Sequence, residues 1–563
     1  MNTREVIYEL LSQLLVALMT VLVAHPLLST TGLPSYSAGR FRDATIAYYI
    51  EWARELDAYG PYTPAWCGGF DLLRFYPPLG LTLIYLIGRA AGDFPYAAQT
   101  SFFLAIYVFA LGAWALGRSL TGSRLAGLAT ALTALSITGY VSTISVYWEY
   151  TRILGEGLAM LALSELNEFM RHGEKKSALL FGVFTGLTVL THLIASLLLA
   201  TLSAVTAAYW VMRHMKKGAG VSALTYIARL LAVAVALALA ISGWWLIPAL
   251  IPFGISHYMR VQPQPGLVAG VFTNSVSLFP PLYEPGIQAP LLLLGFTGIA
   301  LQVFKGRERL PLLYVSSTAL LVLLYGQGSR LIPTLGLFMV ASLASTYNGR
   351  LRELSSSLAL TAVVAASLIY FSHYIPVYWS NLSLDHTYVE SDEYLIAEYL
   401  AGKVPSGHRV YAMYGPLLHG NQWINVFEPG LWQVLSGFME GCVKPEPLEL
   451  DYLVKDTLHT SAIREMIVEL NVDYIAVDKE WYETRDPNSI KLLEAEGFLV
   501  KDPVSKALSY TLLFKVNTTG GLEKPVAEEQ PSIIEYLLLP SRLAGYSTSL
   551  LMLYVFTRMK KET

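Results

Sequence analysis

The strongest constraint on this chain is a succession of apolar runs too long and too free of charge for a soluble core. Residues 177–212 contain no Asp, Glu, Lys or Arg. A helix needs about 20 largely apolar residues to cross a bilayer, so this run is long enough for two and must fold back, with Thr191-His192 as the turn. Only 14% of the 563 residues are charged, against about 25% in soluble domains. Mean hydropathy is +0.46. These values place the chain among polytopic α-helical membrane proteins.

The apolar runs give about twelve spans: 6–27, 97–117, 124–141, 150–170, two within 177–212, 223–250, 288–304, 310–326, 331–347, 355–376 and a final one at 533–557. The first reads as a retained signal anchor, because it is longer than a signal core and no small-residue cleavage pattern follows it. Residues 79–91 are too short and too punctuated to cross, and read as a juxtamembrane or re-entrant helix. Basic residues test the layout. With both termini cytoplasmic, the inward loops hold Arg118 and Arg124; Arg171, Lys175 and Lys176; Arg213, Lys216 and Lys217; Lys305, Arg307 and Arg309; and Arg350 and Arg352. The tail adds Arg558, Lys560 and Lys561. A full span at 79–91 would turn this pattern inside out.

Three hydrophilic segments then lie outside a multi-pass protein of the cell membrane: a first loop at 28–96, a second at about 252–287, and the segment 377–532. The organisation expected is a transmembrane bundle over 1–376, an extracytoplasmic α/β domain over 377–532, and a last helix with a basic tail over 533–563. In the middle segment, HRVYAMY (408–414), VDYIAVD (472–478) and SYTLLFKV (509–516) read as strands. Residues 391–403 and 461–470 read as amphipathic helices. The net charge of −3 gives no support for a nucleic-acid partner. Cys67 and Cys442 both fall in outer segments, and their pairing is left open.

Residues able to do chemistry gather at the outer boundary. Asp43 follows the first span and opens an amphipathic stretch, Ala44 to Leu56, suited to lying on the membrane surface. It also fits a helix N-cap. Glu51 and Asp57 read as solvated or paired with Arg54. Glu149, Arg152 and Glu156 share one helix face by their spacing, where an apolar helix enters the membrane; ionisable groups there should face an interior or a wet cavity. A self-neutralised packing cluster is the structural alternative. His192 stands at the fold-back. His257 and Arg260 lie in the second outer loop. Arg330 starts a span from outside, where its fork of donors suits a phosphate or snorkels at the interface.

The tracts FRDATIAYYIEWARELDAYG, GGFDLLRFYPPLGLTLIYL, ALGRSLTGSRLAGLATAL, THLIAS and SGWWLIPAL, with a hydrophilic domain after the bundle, resemble the GT-C class of integral-membrane glycosyltransferases. The resemblance covers about residues 1–350. It implies transfer of a sugar from a polyprenyl (dolichyl) phosphate donor to an acceptor glycan, lipid or protein at the outer face. Asp43 would be the catalytic base, with Glu149 or Glu156 as a second acid and Arg330 or Arg152 on the donor phosphate. It implies no certain cofactor and leaves a divalent cation, Mg or Mn, open, with Asp43 as its ligand. There are departures from the class. No WWDYG stands in the hydrophilic domain, which argues against peptide N-glycosylation. Asp43 is followed by Ala44 rather than Glu, and no histidine follows within Ala44–Ala47. A non-catalytic scaffold or lipid-binding protein on the same fold is the other reading.

Overall fold

In the computed structural model, the described residues are 3–30, 32–34, 46–63, 65–66, 70–73, 76–218, 220–258, 289–305, 309–324, 328–346, 354–405, 407–413, 420–435 and 446–517. Asp43, Arg260, Cys67, Cys442 and the apolar run 533–557 lie outside them, as does the side chain of His257. The chain divides into two compact units, one of Met1–Ser29, Thr100–Leu382 and Ser541–Thr563, the other of Thr30–Gln99 and Ser383–Pro540.

The first unit is helical. Its helices are α1 (Thr3–Ser29), most of α4 (Phe94–Thr121), α5 (Arg124–Ala134), α6 (Thr138–Ser145), α7 (Tyr150–His172), α8 (Lys175–Val189), α9 (Leu193–Lys216) and α10 (Val221–Tyr258). Further helices cover Ala289–Lys305, Leu310–Leu324, Ile332–Thr346 and Leu354–Leu382. Among the described residues, four helices are long and apolar enough to cross a membrane, or five if α5 and α6 form one broken span. The run 177–212 does fold back, with α8 ending at Val189 and α9 beginning at Leu193.

The run 124–141 is not one straight helix. It breaks after Ala134, and α5 and α6 are bent by 61°. At the break the Ser136 and Ile137 amides both turn to the Thr133 carbonyl at 3.0 Å, and Thr133 and Ser136 hydroxyls donate to the carbonyls of Ala129 and Leu132 at 2.8 and 2.5 Å. The carbonyl of Leu135 instead accepts from the Tyr378 hydroxyl at 3.0 Å. Elsewhere small residues let backbones touch, as expected between helices in lipid. A Cβ at Gly157 of α7 would come within 2.7 Å of the Phe109 backbone in α4.

The second unit joins two distant pieces of chain. Its sheet has five strands in the order β6-β5-β7-β9-β8, where β5 is Arg409–Met413, β6 Trp432–Gln433, β7 Val472–Asp478, β8 Leu499–Lys501 and β9 Thr511–Val516. Strands β6, β5 and β7 run parallel, and β9 and β8 add antiparallel. Tyr411, Met413, Ile475, Val477 and Phe514 enter one apolar cluster. Val410, Ala412, Tyr474, Ala476 and Leu513 enter another. Alternate residues thus serve opposite faces, both covered by helices, which is why these strands read as nearly continuous apolar runs.

The early piece of this unit contains β1 (Leu33–Pro34), α2 (Ile46–Tyr59), the β2–β3 pair (Tyr62–Thr63 with Phe70–Asp71) and α3 (Leu79–Ala91). Strand β1 pairs with β4, Leu384–Asp385. The Gln433 amide donates to the Ala65 carbonyl at 2.8 Å, tying the early piece to the edge of the sheet. Helix α2 does not offer a polar face to solvent along its length, as the surface-helix expectation required. Ile46 to Ala53 are all buried, because Tyr48, Tyr49 and Trp52 make most of its circumference apolar. It packs on α3 and on the helix Gly420–Phe427.

Candidate active site

The start of α7 gathers most of the polar groups expected from the sequence. A sharp turn precedes it, with Trp148 at φ 49° and its ring stacked on Phe102 at 5.2 Å. Glu149 occupies the cap position without bonding a backbone amide of the first turn. Its carboxylate faces Arg152, whose Nη1 donates to Glu149 Oε2 at 2.8 Å. Arg152 Nε donates to Glu156 Oε1 at 3.0 Å, one helical turn further on. Arg152 Nη2 donates to the backbone carbonyl of Arg330. All three guanidinium nitrogens therefore have partners.

Glu156 is engaged on its other side as well. The Tyr140 hydroxyl donates to Glu156 Oε2 at 2.6 Å, and Thr334 donates to the same oxygen at 3.2 Å. Tyr140 and Thr334 are 2.8 Å apart. Glu156 thus fixes Arg152 with one oxygen and the helix Ile332–Thr346 with the other. Arg152 reaches the turn Gly328–Leu331 that leads into that helix. The turn is held at residue 330 and the first turn of the helix after it at residue 334, while the Arg330 residue itself is exposed.

His192 is buried and caps α9, its Nδ1 accepting from the Ala195 amide at 3.4 Å. An accepting Nδ1 carries no proton, so the neutral ring carries its hydrogen on Nε2. Glu149 lies within electrostatic reach of Arg152, Arg330 and His192. Helix α7 passes His192 so closely that a Cβ at Gly155 would fall 2.7 Å from the His192 Cβ.

Five sequence-selected residues, Glu149, Arg152, Glu156, His192 and Arg330, thus meet in the first unit. Tyr140 and Thr334 were not foreseen. A tyrosine amid the hydroxyls of LSITGYVST was the available hint, but nothing local pairs it with residues 156 and 334. Among the described residues, no three His, Cys, Asp or Glu side chains converge as a metal site.

The second unit holds another acidic pair. Glu51 and Glu55, one turn apart on α2, are 0% and 1% exposed, so Glu51 is not solvated as its charge suggested. Arg54 donates to the Val426 carbonyl, and Asp57 pairs with Arg89 at 2.8 Å. Burial, and then the neighbouring Glu55, push the Glu51 carboxyl well above the usual range. Burial also raises Glu55, against a hydrogen bond from Thr63. Among the described residues neither Glu51 carboxyl oxygen finds a hydrogen-bond partner, so burial favours its protonated form. Trp52, Trp66 and Phe70 pack around this part of α2 with ring centroids 5.7 to 6.3 Å apart.

Solved structures share this architecture. Arabinofuranosyltransferase AftD from Mycobacteria superposes with a TM-score of 0.55 at 14% identity over 92% of this chain. The chain spans 40% of AftD's length. ArnT from Cupriavidus metallidurans bound to undecaprenyl phosphate gives 0.54 at 12% identity, covering 91% of this chain and 98% of ArnT. This is the GT-C fold. The Archaeoglobus fulgidus oligosaccharyltransferase has it too, with a TM-score of 0.53 at 12% identity, over 84% of this chain and 68% of that one. Within the GT-C fold of this chain, residues 73–346 match a family model described as a 6-pyruvoyl-tetrahydropterin synthase related domain, membrane protein. The chain is a membrane protein. Comparison with curated protein sequences finds no match.

Proposed function

We propose that this chain is a membrane glycosyltransferase that moves a sugar from a polyprenyl (dolichyl or undecaprenyl) phosphate to an acceptor glycan, lipid or protein at the extracytoplasmic face. The observation that carries the reading is the braced Arg330 turn. Arg152, fixed between Glu149 and buried Glu156, holds its backbone, and the Arg330 residue itself is exposed. A fork of guanidinium donors suits a lipid phosphate, and the ArnT structure of the same fold holds undecaprenyl phosphate.

In the proposed reaction the acceptor hydroxyl attacks the anomeric carbon from the face opposite the phosphate. A new C–O bond forms as the bond to the phosphate oxygen breaks, and configuration inverts. Asp43 takes the hydroxyl proton, and the polyprenyl phosphate leaves with its charge met by Arg330. Arg152 acts behind Arg330, placing it and adding positive potential. Glu149, with one oxygen on Arg152 and its side chain 17% exposed, is the second acid with access to substrate. Glu156 anchors the assembly. His192, His257 and Arg260 are further contacts for the phosphate or the sugar. Residues 1–376 form the membrane bundle of about twelve spans with cytoplasmic termini, 377–532 the extracytoplasmic domain, and 533–563 the final helix and basic tail.

Reconstitution with a set of labelled polyprenyl-phosphate sugars, with and without Mg or Mn, tests this. Wild type is expected to transfer label, and Asp43→Asn to bind donor without transferring it. Full transfer by Asp43→Asn would remove that residue from catalysis. Donor binding without transfer by wild type would favour the non-catalytic lipid-binding reading.

A further inference from the structure

Arg409 opens β5 in the second unit and is only 7% exposed. A guanidinium buried this far is costly unless its charge and its donors are met. Three groups meet it in part. Its Nη1 donates to the Leu470 carbonyl at 3.0 Å, just before the left-handed turn at Asn471, φ 53°, that leads into β7. Its Cζ lies 5.5 Å from the ring centroid of Trp432, which is paired with it in the β5–β6 register. The Tyr62 phenol lies within electrostatic reach.

The side edge of the fork is left over. Nε is buried and has no hydrogen-bond partner, and Nη1 is the one nitrogen of this guanidinium with a hydrogen bond among the described residues. Burial holds the guanidinium below its ordinary value, and among the described residues the opposing pull comes from Tyr62 rather than from a carboxylate. Asp473, second in β7, faces His408 instead, at 2.9 Å. Gly407, at φ 82°, puts no side chain over the indole; among the described residues a Cβ there would meet only Trp432, at 4.0 Å. A brace between β5, β6 and β7 does not need the charge, since a neutral chain of similar length would lie on Trp432 as well. A ligand does need it. Nε and Nη2 offer two parallel N–H bonds at the spacing of two oxygens on one carboxylate or phosphate, and binding sites keep such groups at a cost in stability.

We propose that Arg409, lying on Trp432 with Tyr62 in reach, binds a carboxylate or phosphate carried by a small ligand, at the edge where the early piece of the second unit meets the sheet. The site is independent of the sugar-transfer reading and survives or fails without it.

The test uses the full chain in detergent at fixed ionic strength and follows the melting midpoint as a probe is added. Glucuronate carries a carboxylate, glucose 6-phosphate a phosphate, and glucose neither. Wild type is expected to melt higher with one or both acids and to ignore glucose; the acid that acts identifies the group. Hydrogen bonds to a charged group are worth about ten- to hundredfold in affinity, so Arg409→Gln should weaken the response by that factor. Without probe, Arg409→Gln should melt no lower than wild type, because it removes a buried charge. A lower midpoint would make Arg409 a brace of the fold and overturn the reading of its charge. The site is also overturned if wild type responds to neither acid, responds equally to glucose, or responds no better than Arg409→Gln. Two acids of the chain itself are checked with Asp71→Asn, at the position opposite Tyr62 in the β2–β3 pair, and Glu440→Gln, in the segment after β6. A response gained in either would assign the guanidinium to that carboxylate and sink the proposal. Should Arg409→Gln fail to fold, Arg409→Lys replaces it: a weakened response supports the fork, and an undiminished one overturns it.

Discussion

The two units each carry a pair of glutamates on one face of a helix, and they neutralise them in different ways. In α7, Glu149 and Glu156 flank Arg152, so two carboxylates meet one guanidinium. In α2, Glu51 and Glu55 sit one turn apart with no arginine hydrogen-bonded between them, and burial instead pushes both carboxyls toward the protonated form. The lesson concerns what each pair can transmit. A guanidinium has donors left over, and Arg152 uses one to hold the Arg330 turn. The α2 pair has no such cation: Glu55 accepts from Thr63, and the protonation of the pair follows pH.

Arg152→Met breaks the comparison most severely. It leaves buried Glu156 and half-buried Glu149 without their cation, which costs about 3–5 kcal/mol when one partner of a buried pair is removed. Thermal unfolding in detergent should show this loss. A wild-type melting curve would mean that Glu149 and Glu156 take up protons as α2 does, and the contrast between the units would collapse.

Tyr140→Phe sharpens the same side at smaller scale. Glu156 keeps Arg152 and loses one donor, at an expected cost of about 1–2 kcal/mol. Donor binding should weaken with it if Glu156 sets the Arg330 turn. Unchanged binding in a destabilised protein would confine Tyr140 to packing.

The smallest effect belongs to α2. Both carboxyls are raised by burial from a reference of 4.5. Below about pH 4.5 the folded and unfolded forms both hold the protons, and the pair's contribution to stability is complete. Above 4.5 the unfolded chain ionises first, so stability falls with rising pH until the folded pair ionises too. Glu51→Gln removes most of this slope and should raise the melting temperature near pH 8 by about 2–4 °C. Melting curves between pH 4.5 and 8 check it; an unaltered slope would assign the titration to other groups.

The α7 cluster was legible because its information is local. Residues 149, 152 and 156 meet through helical spacing alone, and the cost of an ion in an apolar helix makes them conspicuous. The strands at 409–413, 472–478 and 511–516 were legible for a related reason, as apolar runs of strand length. The partners Tyr140 and Thr334 were not, since only the tertiary fold brings them to Glu156. Glu51 misled through its charge: nothing in IAYYIEWA announces that Trp66 and Phe70 will close over the helix. The bend between α5 and α6 was hidden because 124–141 is one apolar run with no proline or glycine at the break.

The second unit has a consequence for synthesis. Arg54 bonds the carbonyl of Val426 across 372 residues of chain, and β9, next to the central strand β7, ends only at Val516. At about 5–20 residues per second, roughly 20–75 seconds separate the emergence of these two partners from the ribosome. Throughout that interval α2 exists without the helix that covers it, its aromatic face bare and Glu51 open to water. The glutamates that are strangers to a finished core are suited to this waiting period, when charge on α2 keeps an unfinished surface from sticking to its neighbours.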